Sequence, residues 1–213
     1  MTTEVKLGPV IGRRRSIRRY EPGPIDEPVI ERILLAATRA PSAHNRQPWR
    51  FAVLEDHPSK DRLATAMGRR LQQDRMADGD DLKSIEDDVA RSYARLTEAP
   101  LVFVVCVDGR DMDQYSDKRR NEAEYLMAVQ STAMAAQNLL LAAQTEGLGA
   151  CIMCAPLFCP DVVSDTLALP SQWQPQMLIT VGRSANSGRD RPRLALEEVV
   201  AWRRRTPKAD SAG

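Results

Sequence analysis

The longest helical segment of the sequence constrains the fold more than any other feature. Residues Glu122 to Glu146 are rich in Ala, Leu, Met and Gln and contain neither Gly nor Pro, which predicts an uninterrupted helix. Its apolar residues occupy nearly the whole circumference, so we expect a central buried helix or one packed against a second subunit. Gly147 and Gly149 follow and predict its end.

Four segments have the pattern of strands. Leu101–Val107 (LVFVVCV) is a continuous apolar run, which is typical of a fully buried strand, and Trp49–Glu55 alternates apolar and polar residues. Cys151–Cys154 and Met177–Val181 are shorter apolar runs. Helical segments separate these strands and hairpin signals are few. The sequence therefore predicts an α+β fold, with a small central sheet covered by long helices.

The remaining segments carry further helix signals. Asp26 is a plausible N-cap of an amphipathic helix that reaches about Arg39, and Asp161 is expected to cap a short helix through Leu167. Residues 59–99 predict two charged helices joined by an exposed turn. Because this region is polar on most of its surface, we interpret it as a helical insert, a lid or arm rather than core. Residues 206–213 are expected to form a disordered tail.

Length and charge limit the function. The 213 residues fit one domain (1–213), and 30 basic against 29 acidic side chains create no global field for nucleic acid or membrane. No apolar run reaches the ~18 residues of a membrane span, and no secretory h-region begins the chain. The four cysteines form no spaced disulfide framework, so we expect them to be reduced and the protein to be cytoplasmic.

A local cluster of positive charge, Arg13–Tyr20 (RRRSIRRY), suggests a local anion. Phosphates are bound either by glycine-rich loops or by converging arginines, and Gly147 to Gly149 follow a helix and lack a third glycine. We expect this basic segment to be the exposed first turns of a helix or an arm. The candidate donors are Arg14, Arg15, Arg18 and the Ser16 hydroxyl from one helical turn, with Arg191 and Arg193 from the far end of the chain. A solvated basic face remains an alternative.

A second polar segment, Ala40–Trp49 (APSAHNRQPW), follows about two dozen residues later. Its prolines fix the backbone, while Ser42, Asn45 and Gln47 present neutral hydrogen-bonding groups. Flavin and nicotinamide rings display carbonyls and ring nitrogens that need such partners. A polar turn into a strand is the alternative interpretation.

The sequence offers few groups for nucleophilic or metal chemistry. Cys151, Cys154 and Cys159 have zinc-like spacing, but no second pair of cysteines and no nearby histidine completes four ligands. The two histidines, His44 and His57, belong to no recognisable triad, so hydrolysis is disfavoured. We expect no metal site, and a cofactor that carries its own chemistry suits this composition.

From about Arg14 to Val200 the chain resembles the nitroreductase family. Four motifs that occur in the order of the family carry this resemblance: RRSIRRY, IERILLAATRAPSAHNRQPWRF, QNLLLAAQTEGLGACIM and LITVGR…RPRLALEEVV. The resemblance implies a nitroreductase-like sandwich with a mostly antiparallel sheet, and an intertwined homodimer with FMN in two sites at the interface. It also implies hydride transfer from NAD(P)H to a small organic acceptor, for example a nitroaromatic or a quinone. The flavin carries this chemistry, so no catalytic side chain is assigned.

The resemblance assigns roles to individual residues of this sequence. The phosphate-binding residues would be Arg14, Arg15, Ser16 and Arg18, closed by the late basic pair Arg191 and Arg193. The loop that approaches the flavin ring, partly from the partner subunit, would hold Pro41, Ser42, Asn45 and Gln47. The segment near the reactive N5 would be Met153, Cys154 and Ala155, where a backbone N–H would serve.

Within the family, residues 59–99 and the segment from Gly147 to Gly182 are similar to the FMN-binding C-terminal domain of the glutamyl ligase that completes a deazaflavin coenzyme. This similarity implies an alternative substrate, a dehydro precursor of that coenzyme. A non-catalytic flavin or deazaflavin binder and an anion-binding adaptor that uses Arg13–Arg19 are further alternatives.

Overall fold

The computed structural model describes residues 7–203. Within them lie seven α-helices, four β-strands and two short 3-10 helices, at Ala43–Asn45 and Ala155–Phe158. The α-helices are α1 (Leu7–Arg13), α2 (Glu27–Ala37), α3 (His57–Ala77), α4 (Leu82–Thr97), α5 (Lys118–Thr145), α6 (Pro160–Leu167) and α7 (Leu196–Val199). The strands are β1 (Trp49–Leu54), β2 (Leu101–Val107), β3 (Gly149–Met153) and β4 (Gln174–Gly182).

The four strands form one sheet in the order β1-β2-β4-β3, and every neighbouring pair is antiparallel. β2 lies in the interior of the sheet and all seven of its residues are buried, as its apolar run predicted. The α+β class and the small antiparallel sheet are therefore confirmed. The register places Trp49 opposite Val107 in the first pair and Leu101 opposite Val181 in the second.

One face of the sheet packs on α2 and α5. Leu101, Phe103 and Val105 of β2 point to this side because alternate residues of a strand share a face. They meet Ile33 of α2 and Leu139 of α5, both of which are fully buried. α5 is therefore a central helix of the fold, as its composition predicted.

The opposite face packs on α3, α4 and α6. Val102, Val104 and Cys106 of β2 contact a core that includes Leu63 of α3 and Leu96 of α4. The interpretation of residues 59–99 as a lid or arm rather than core was therefore wrong for the inner faces of these helices. Their apolar stripes are narrow, so the region is polar on average although one side of each helix is buried.

α5 begins four residues earlier than predicted because the Asp117 side chain caps it, accepting a hydrogen bond of 3.0 Å from the Arg120 amide. At its end, Gly147 has φ +74° and the Leu148 amide donates to the Ala143 carbonyl at 2.8 Å, which is the Schellman arrangement. In the described part of the chain, α5 is also the one helix that is long and apolar enough to cross a membrane. Its packing on α2 and the sheet buries part of this apolar surface, while Tyr125, Leu126 and Met134 remain exposed.

Two side chains predicted to cap helices make no capping hydrogen bond in the structure. Asp26 does precede α2, but its side chain makes no capping hydrogen bond. α6 begins at Pro160 with Cys159 as the preceding residue, so Asp161 lies in the first turn and does not cap the helix. The predicted disordered tail, residues 206–213, lies outside the described residues.

Candidate functional site

The basic segment after α1 is extended, which corrects the prediction that its donors come from one helical turn. Ser16 forms a parallel bridge with Ala150 of β3, and the Ile17 amide donates to the Ala150 carbonyl at 3.0 Å. Ser16 and Arg18 are two positions apart in this extended stretch and share a side, whereas the Arg14 amide still donates to the Val10 carbonyl at 3.1 Å and closes the last turn of α1. Ile17 faces the core and is buried. We call residues 14–20 the arginine arm.

Tyr20 fixes the end of the arginine arm to the sheet. Its hydroxyl donates to the Ile17 carbonyl at 2.6 Å and lies 2.7 Å from the Thr180 hydroxyl, which can donate to it. Burial raises the pKa of Tyr20 far above its ordinary value, although the Thr180 hydrogen bond opposes that shift. The phenol therefore stays protonated and acts as a structural clamp.

Two glycines leave room for the arginine arm. A Cβ atom at Gly149 would lie 2.7 Å from the Ile17 Cβ, so any larger residue would push the arm from β3. Gly188 lies in the left-handed region with φ +69°, and a Cβ there would lie 2.8 Å from Ile17 Cδ1 and 2.9 Å from Arg15 Cβ. Both positions favour glycine for steric reasons, and Gly188 also for its backbone conformation.

A basic cleft of about 860 Å³ opens beside the arginine arm. Its walls come from the arm, from α4 and from the loop after β4. The lining residues are Ser16, Arg18, Arg19, Arg91, Ala94, Arg95, Glu98, Asn186, Ser187, Gly188 and Arg189. Two of the predicted phosphate ligands, Ser16 and Arg18, are therefore on the cleft, and they are accompanied by arginines that the sequence did not single out.

The other predicted phosphate ligands are placed differently. Arg15 forms an ion pair with Asp190 at 3.0 Å and donates to the Gly12 carbonyl at 2.7 Å, so its guanidinium ties the arm to the late loop. Arg193 donates to the carbonyl of Arg191 at 2.7 Å. Four of the predicted ligands do not line the cleft, namely Arg14, Arg15, Arg191 and Arg193, whereas Arg189 does.

Cys151 lies beneath the arginine arm. Burial raises the pKa of its thiol, and the nearby guanidiniums of Arg18, Arg95 and Arg14 oppose that shift. Three arginines from two elements therefore converge on one region at the β3 edge of the sheet. The thiol itself is buried and protonated, which fits a packing role.

The loop that contains Pro41, Ser42, Asn45 and Gln47 has an unusual backbone. His44, Asn45 and Gln47 all have positive φ, at 50°, 54° and 50°. For residues other than glycine this conformation costs about 1–3 kcal/mol each and concentrates at ligand clamps and active sites. We call residues 41–48 the polar loop. Pro41, Asn45 and Gln47 are exposed and Ser42 is half-buried.

The polar loop is held in this shape by its own chain. The Gln47 amide donates to Ser42 Oγ at 3.0 Å, and the Ala43 amide donates to Ser131 Oγ of α5 at 3.2 Å. Arg46 forms an ion pair with Asp113 at 2.5 Å. His44, Asp113 and Glu124 also bring ligand atoms within 4.8 Å of one another, but the Arg46 guanidinium already balances the charge of Asp113.

The third predicted segment, Met153 to Ala155, joins the end of β3 to a 3-10 helix. Cys154 and Ala155 are exposed and Met153 is half-buried. The first hydrogen bond of this turn runs from the Leu157 amide to the Cys154 carbonyl at 3.1 Å. The amides of Cys154 and Ala155 precede it, as the first N–H groups of any helical turn do, and can serve an external acceptor.

The register of the sheet fixes the relative positions of the three segments. Ser16 lies beside Ala150 and Met153 ends the same strand, so about 10 Å separates them at about 3.3 Å per residue. The polar loop precedes β1, at the diagonally opposite corner of the sheet. Trp49 is roughly 24 Å from Ala150, from three strand spacings and six residues along β2. A ligand that extends from Ser16 to Met153 along β3 therefore stays three strand spacings away from the strand that follows the polar loop of the same chain.

The fold and the site define an α+β protein that can hold a phosphorylated ligand along one sheet edge. The model of the family described as Nitroreductase matches residues 11–183. The chain is 32% identical to an NADH dehydrogenase of Thermus thermophilus, over 90% of this chain and 93% of the relative. It is 28% identical to a 5,6-dimethylbenzimidazole synthase of Rhodospirillum rubrum, over 91% and 87% of the two chains.

A solved nitroreductase from Desulfovibrio desulfuricans in complex with FMN has the same fold, with a TM-score of 0.73 and 26% identity. The superposition covers 96% of this chain and 100% of the other. The chain belongs to the nitroreductase family. The enzyme class that the sequence predicted, a flavin-dependent NAD(P)H oxidoreductase, is thereby confirmed.

Sequence reasoning missed Arg91, Arg95 and Arg189. Arg91 and Arg95 are four residues apart, so they share a face of α4, but nothing in a charged helix shows which face meets the arginine arm. Arg189 lies two residues before Arg191 and was passed over because the motif of the family fell on the later pair. The available signal in the sequence was the helical spacing of four residues between Arg91 and Arg95.

Proposed function

We propose that this chain is an FMN-dependent oxidoreductase that takes hydride from NAD(P)H and delivers it to a small organic acceptor such as a nitroaromatic or a quinone. The observation that carries the proposal is the arginine arm beside β3. It presents Ser16 and Arg18 to the basic cleft, and the exposed residues Cys154 and Ala155 directly follow Met153, which lies about 10 Å further along the same edge.

The residues present fit a phosphorylated flavin. Guanidiniums bind a phosphate dianion through paired hydrogen bonds, and the Ser16 hydroxyl adds a further donor. The distance of about 10 Å along β3 suits a ring joined to its phosphate by a sugar-alcohol chain. When bound, FMN supplies the hydride chemistry of its ring, and no side chain of this protein has to act as a nucleophile.

The protein would contribute position and electrostatics. The Cys154 and Ala155 amides would donate to the ring near its reactive edge, and the side chains of Ser42, Asn45 and Gln47 would orient the ring from the other side. Because the polar loop is preset by Ser131 and by its internal hydrogen bond to Ser42, little ordering is needed when the ligand binds.

We further propose a homodimer in which the polar loop of one chain completes the site on its partner. The separation of roughly 24 Å between Trp49 and Ala150 within a chain supports this arrangement. Large apolar side chains are exposed at several places in the chain, and two groups of them are close together in sequence. On α5 these are Tyr125, Leu126 and Met134, and near the C-terminal end they are Leu194, Leu196, Val199 and Trp202. Exposed apolar surface of this kind is typical of subunit interfaces.

The decisive experiment is the visible spectrum of the purified protein. We expect flavin absorbance, loss of that absorbance on anaerobic addition of NADPH or NADH, and its return when an acceptor is added. The acceptor panel should include quinones, nitroaromatics and the dehydro precursor of the deazaflavin coenzyme. A protein that stays colourless after incubation with FMN would contradict the proposal, and flavin binding without donor oxidation would favour the non-catalytic binder.

A second candidate function is the synthesis of 5,6-dimethylbenzimidazole. It is favoured by two relatives of that name, at 28% and 31% identity over 91% and 78% of this chain. Mass spectrometry of FMN-loaded protein incubated in air with NAD(P)H would detect the product. We place either activity in the cytoplasm, because all four cysteines are free thiols and none forms a disulfide.

A further inference from the structure

We propose that the basic cleft beside the arginine arm binds a second phosphate in addition to that of the flavin, namely the 2′-phosphate of NADPH. The inference rests on the proposed function and deepens it, since it selects NADPH over NADH as the donor. At about 860 Å³, the cleft has the volume of a typical small-molecule site. It therefore has room for more than the single phosphate group of FMN.

The positive charge of the side chains that line the cleft is larger than the negative charge of one phosphate group. Five guanidiniums line it, those of Arg18, Arg19, Arg91, Arg95 and Arg189, against the single carboxylate of Glu98. A phosphate monoester carries about two negative charges at neutral pH. After a flavin phosphate is bound, a surplus of positive charge remains, and it is concentrated on α4 and on the loop after β4.

These guanidiniums have few partners inside the chain. Throughout residues 7–203, the side chains of Arg19, Arg95 and Arg189 form no hydrogen bond or ion pair. That of Arg18 donates to the Ser16 carbonyl at 3.3 Å and also hydrogen-bonds with the Cys151 thiol, but it has no carboxylate partner. Arg91 is the exception among the five, because it forms an ion pair with Asp88. Unpaired cations around one cleft repel each other, and an anionic ligand relieves that repulsion.

The position of the cleft favours the donor nucleotide as the source of the second phosphate. The nicotinamide of the donor must reach the flavin ring near Met153, about 10 Å along β3 from Ser16. The rest of the donor then extends over the same edge, where Arg95 of α4 and Arg189 of the loop after β4 both line the cleft. NADH has a neutral hydroxyl at the 2′ position and leaves these guanidiniums without a partner.

The test compares two nucleotides that differ by the phosphate in question. FMN-loaded protein is titrated by calorimetry with 2′,5′-ADP and with AMP, and the titration is repeated with Arg95→Gln, Arg189→Gln and the double variant. Arg62→Gln is the matched control, because Arg62 is an exposed arginine of α3 that does not line the cleft. FMN and FAD affinities are measured for each variant.

We expect wild-type protein to prefer 2′,5′-ADP to AMP, and each single variant to lose roughly tenfold of that preference, as for one charge-assisted hydrogen bond. The ratio of kcat/KM for NADPH to that for NADH should fall in parallel, while Arg62→Gln keeps both preferences. Equal binding of the two nucleotides by the wild type, or a preference that survives in the double variant, would overturn the inference.

The remaining outcomes separate this inference from its alternatives. If FAD binds more tightly than FMN and Arg95→Gln abolishes the difference, the second phosphate belongs to the cofactor and the donor assignment is wrong. Inorganic phosphate that binds as tightly as 2′,5′-ADP would likewise reduce the cleft to a general anion site and overturn the assignment. Failure to bind FMN would refute the proposed function, whereas FMN binding without a preference for 2′,5′-ADP would refute this inference alone.

Discussion

The most direct test of the arginine arm is the substitution Gly149→Ala. The added methyl group would lie 2.7 Å from both Cβ and Cγ1 of Ile17, whereas carbon atoms in contact prefer about 3.5–4.0 Å. The Ile17 Cβ is attached to the backbone, so rotation of a side chain cannot relieve the clash. The arm must therefore move by roughly 1 Å away from β3.

Two consequences follow, one for the stability of the fold and one for the affinity for FMN. Overpacking of this kind destabilises a protein by about 1–3 kcal/mol. The displaced arm also carries Ser16 and Arg18, and the loss of one charge-assisted contact to a phosphate would cost about 1.5–3 kcal/mol of binding. We therefore expect the FMN dissociation constant to rise roughly 10- to 100-fold.

Urea unfolding of the FMN-free protein would measure the first effect, and titration of FMN followed by flavin fluorescence would measure the second. Gly109→Ala is the matched control, because a Cβ there meets no atom within 4 Å. If Gly149→Ala is as stable as the control, the packing argument is refuted. A clear loss of stability with unchanged FMN affinity would refute the role of the arm in binding.

Three further substitutions test other contacts of the site. The double variant Arg14→Ala with Arg18→Ala should lose about 3–6 kcal/mol of FMN binding in equilibrium titration, and unchanged affinity would show that the phosphate binds elsewhere. Ser131→Ala removes the acceptor of the Ala43 amide, so it should lower kcat/KM and reduce the free energy of unfolding by about 1 kcal/mol. The control is Thr132→Val, which removes a buried hydroxyl without a partner among the described residues and should not destabilise the protein. Tyr20→Phe leaves the Ile17 carbonyl without its 2.6 Å hydrogen bond and should cost about 1–2 kcal/mol in urea unfolding; no change would mean that the clamp is unimportant.

The helices and strands with a clear pattern of apolar residues could be predicted from the sequence. The α5 helix and the β2 strand were identified because their composition and apolar pattern do not depend on what surrounds them. The two helices of residues 59–99 were also found, but their burial was not. Leu63 and Leu96 belong to narrow apolar stripes, and only the sheet behind them shows that these stripes are core.

The conformation of the arginine arm could not be predicted for a physical reason. Arginine has a good helix propensity, so a run of arginines suggests a helix when it is considered alone. In the folded chain, Ile17 instead fills the space that Gly149 leaves open beside β3, and tertiary packing overrides the local preference. The extended form still brings Ser16 and Arg18 to the same cleft at a spacing of two.

In the polar loop, the residue types indicated an exposed polar segment, but they did not indicate its backbone conformation. Asn and His adopt positive φ more readily than most residues, but three such positions within four residues are strained unless other contacts impose them. Here Ser131 of α5 imposes the shape from the core of the same chain. The loop therefore has its shape within a single chain, and the arginine arm lies at the other corner of the sheet. If the proposed homodimer divides the site between these two corners, each half must be rigid, because the geometry across the interface can be no more precise than the two parts that meet there.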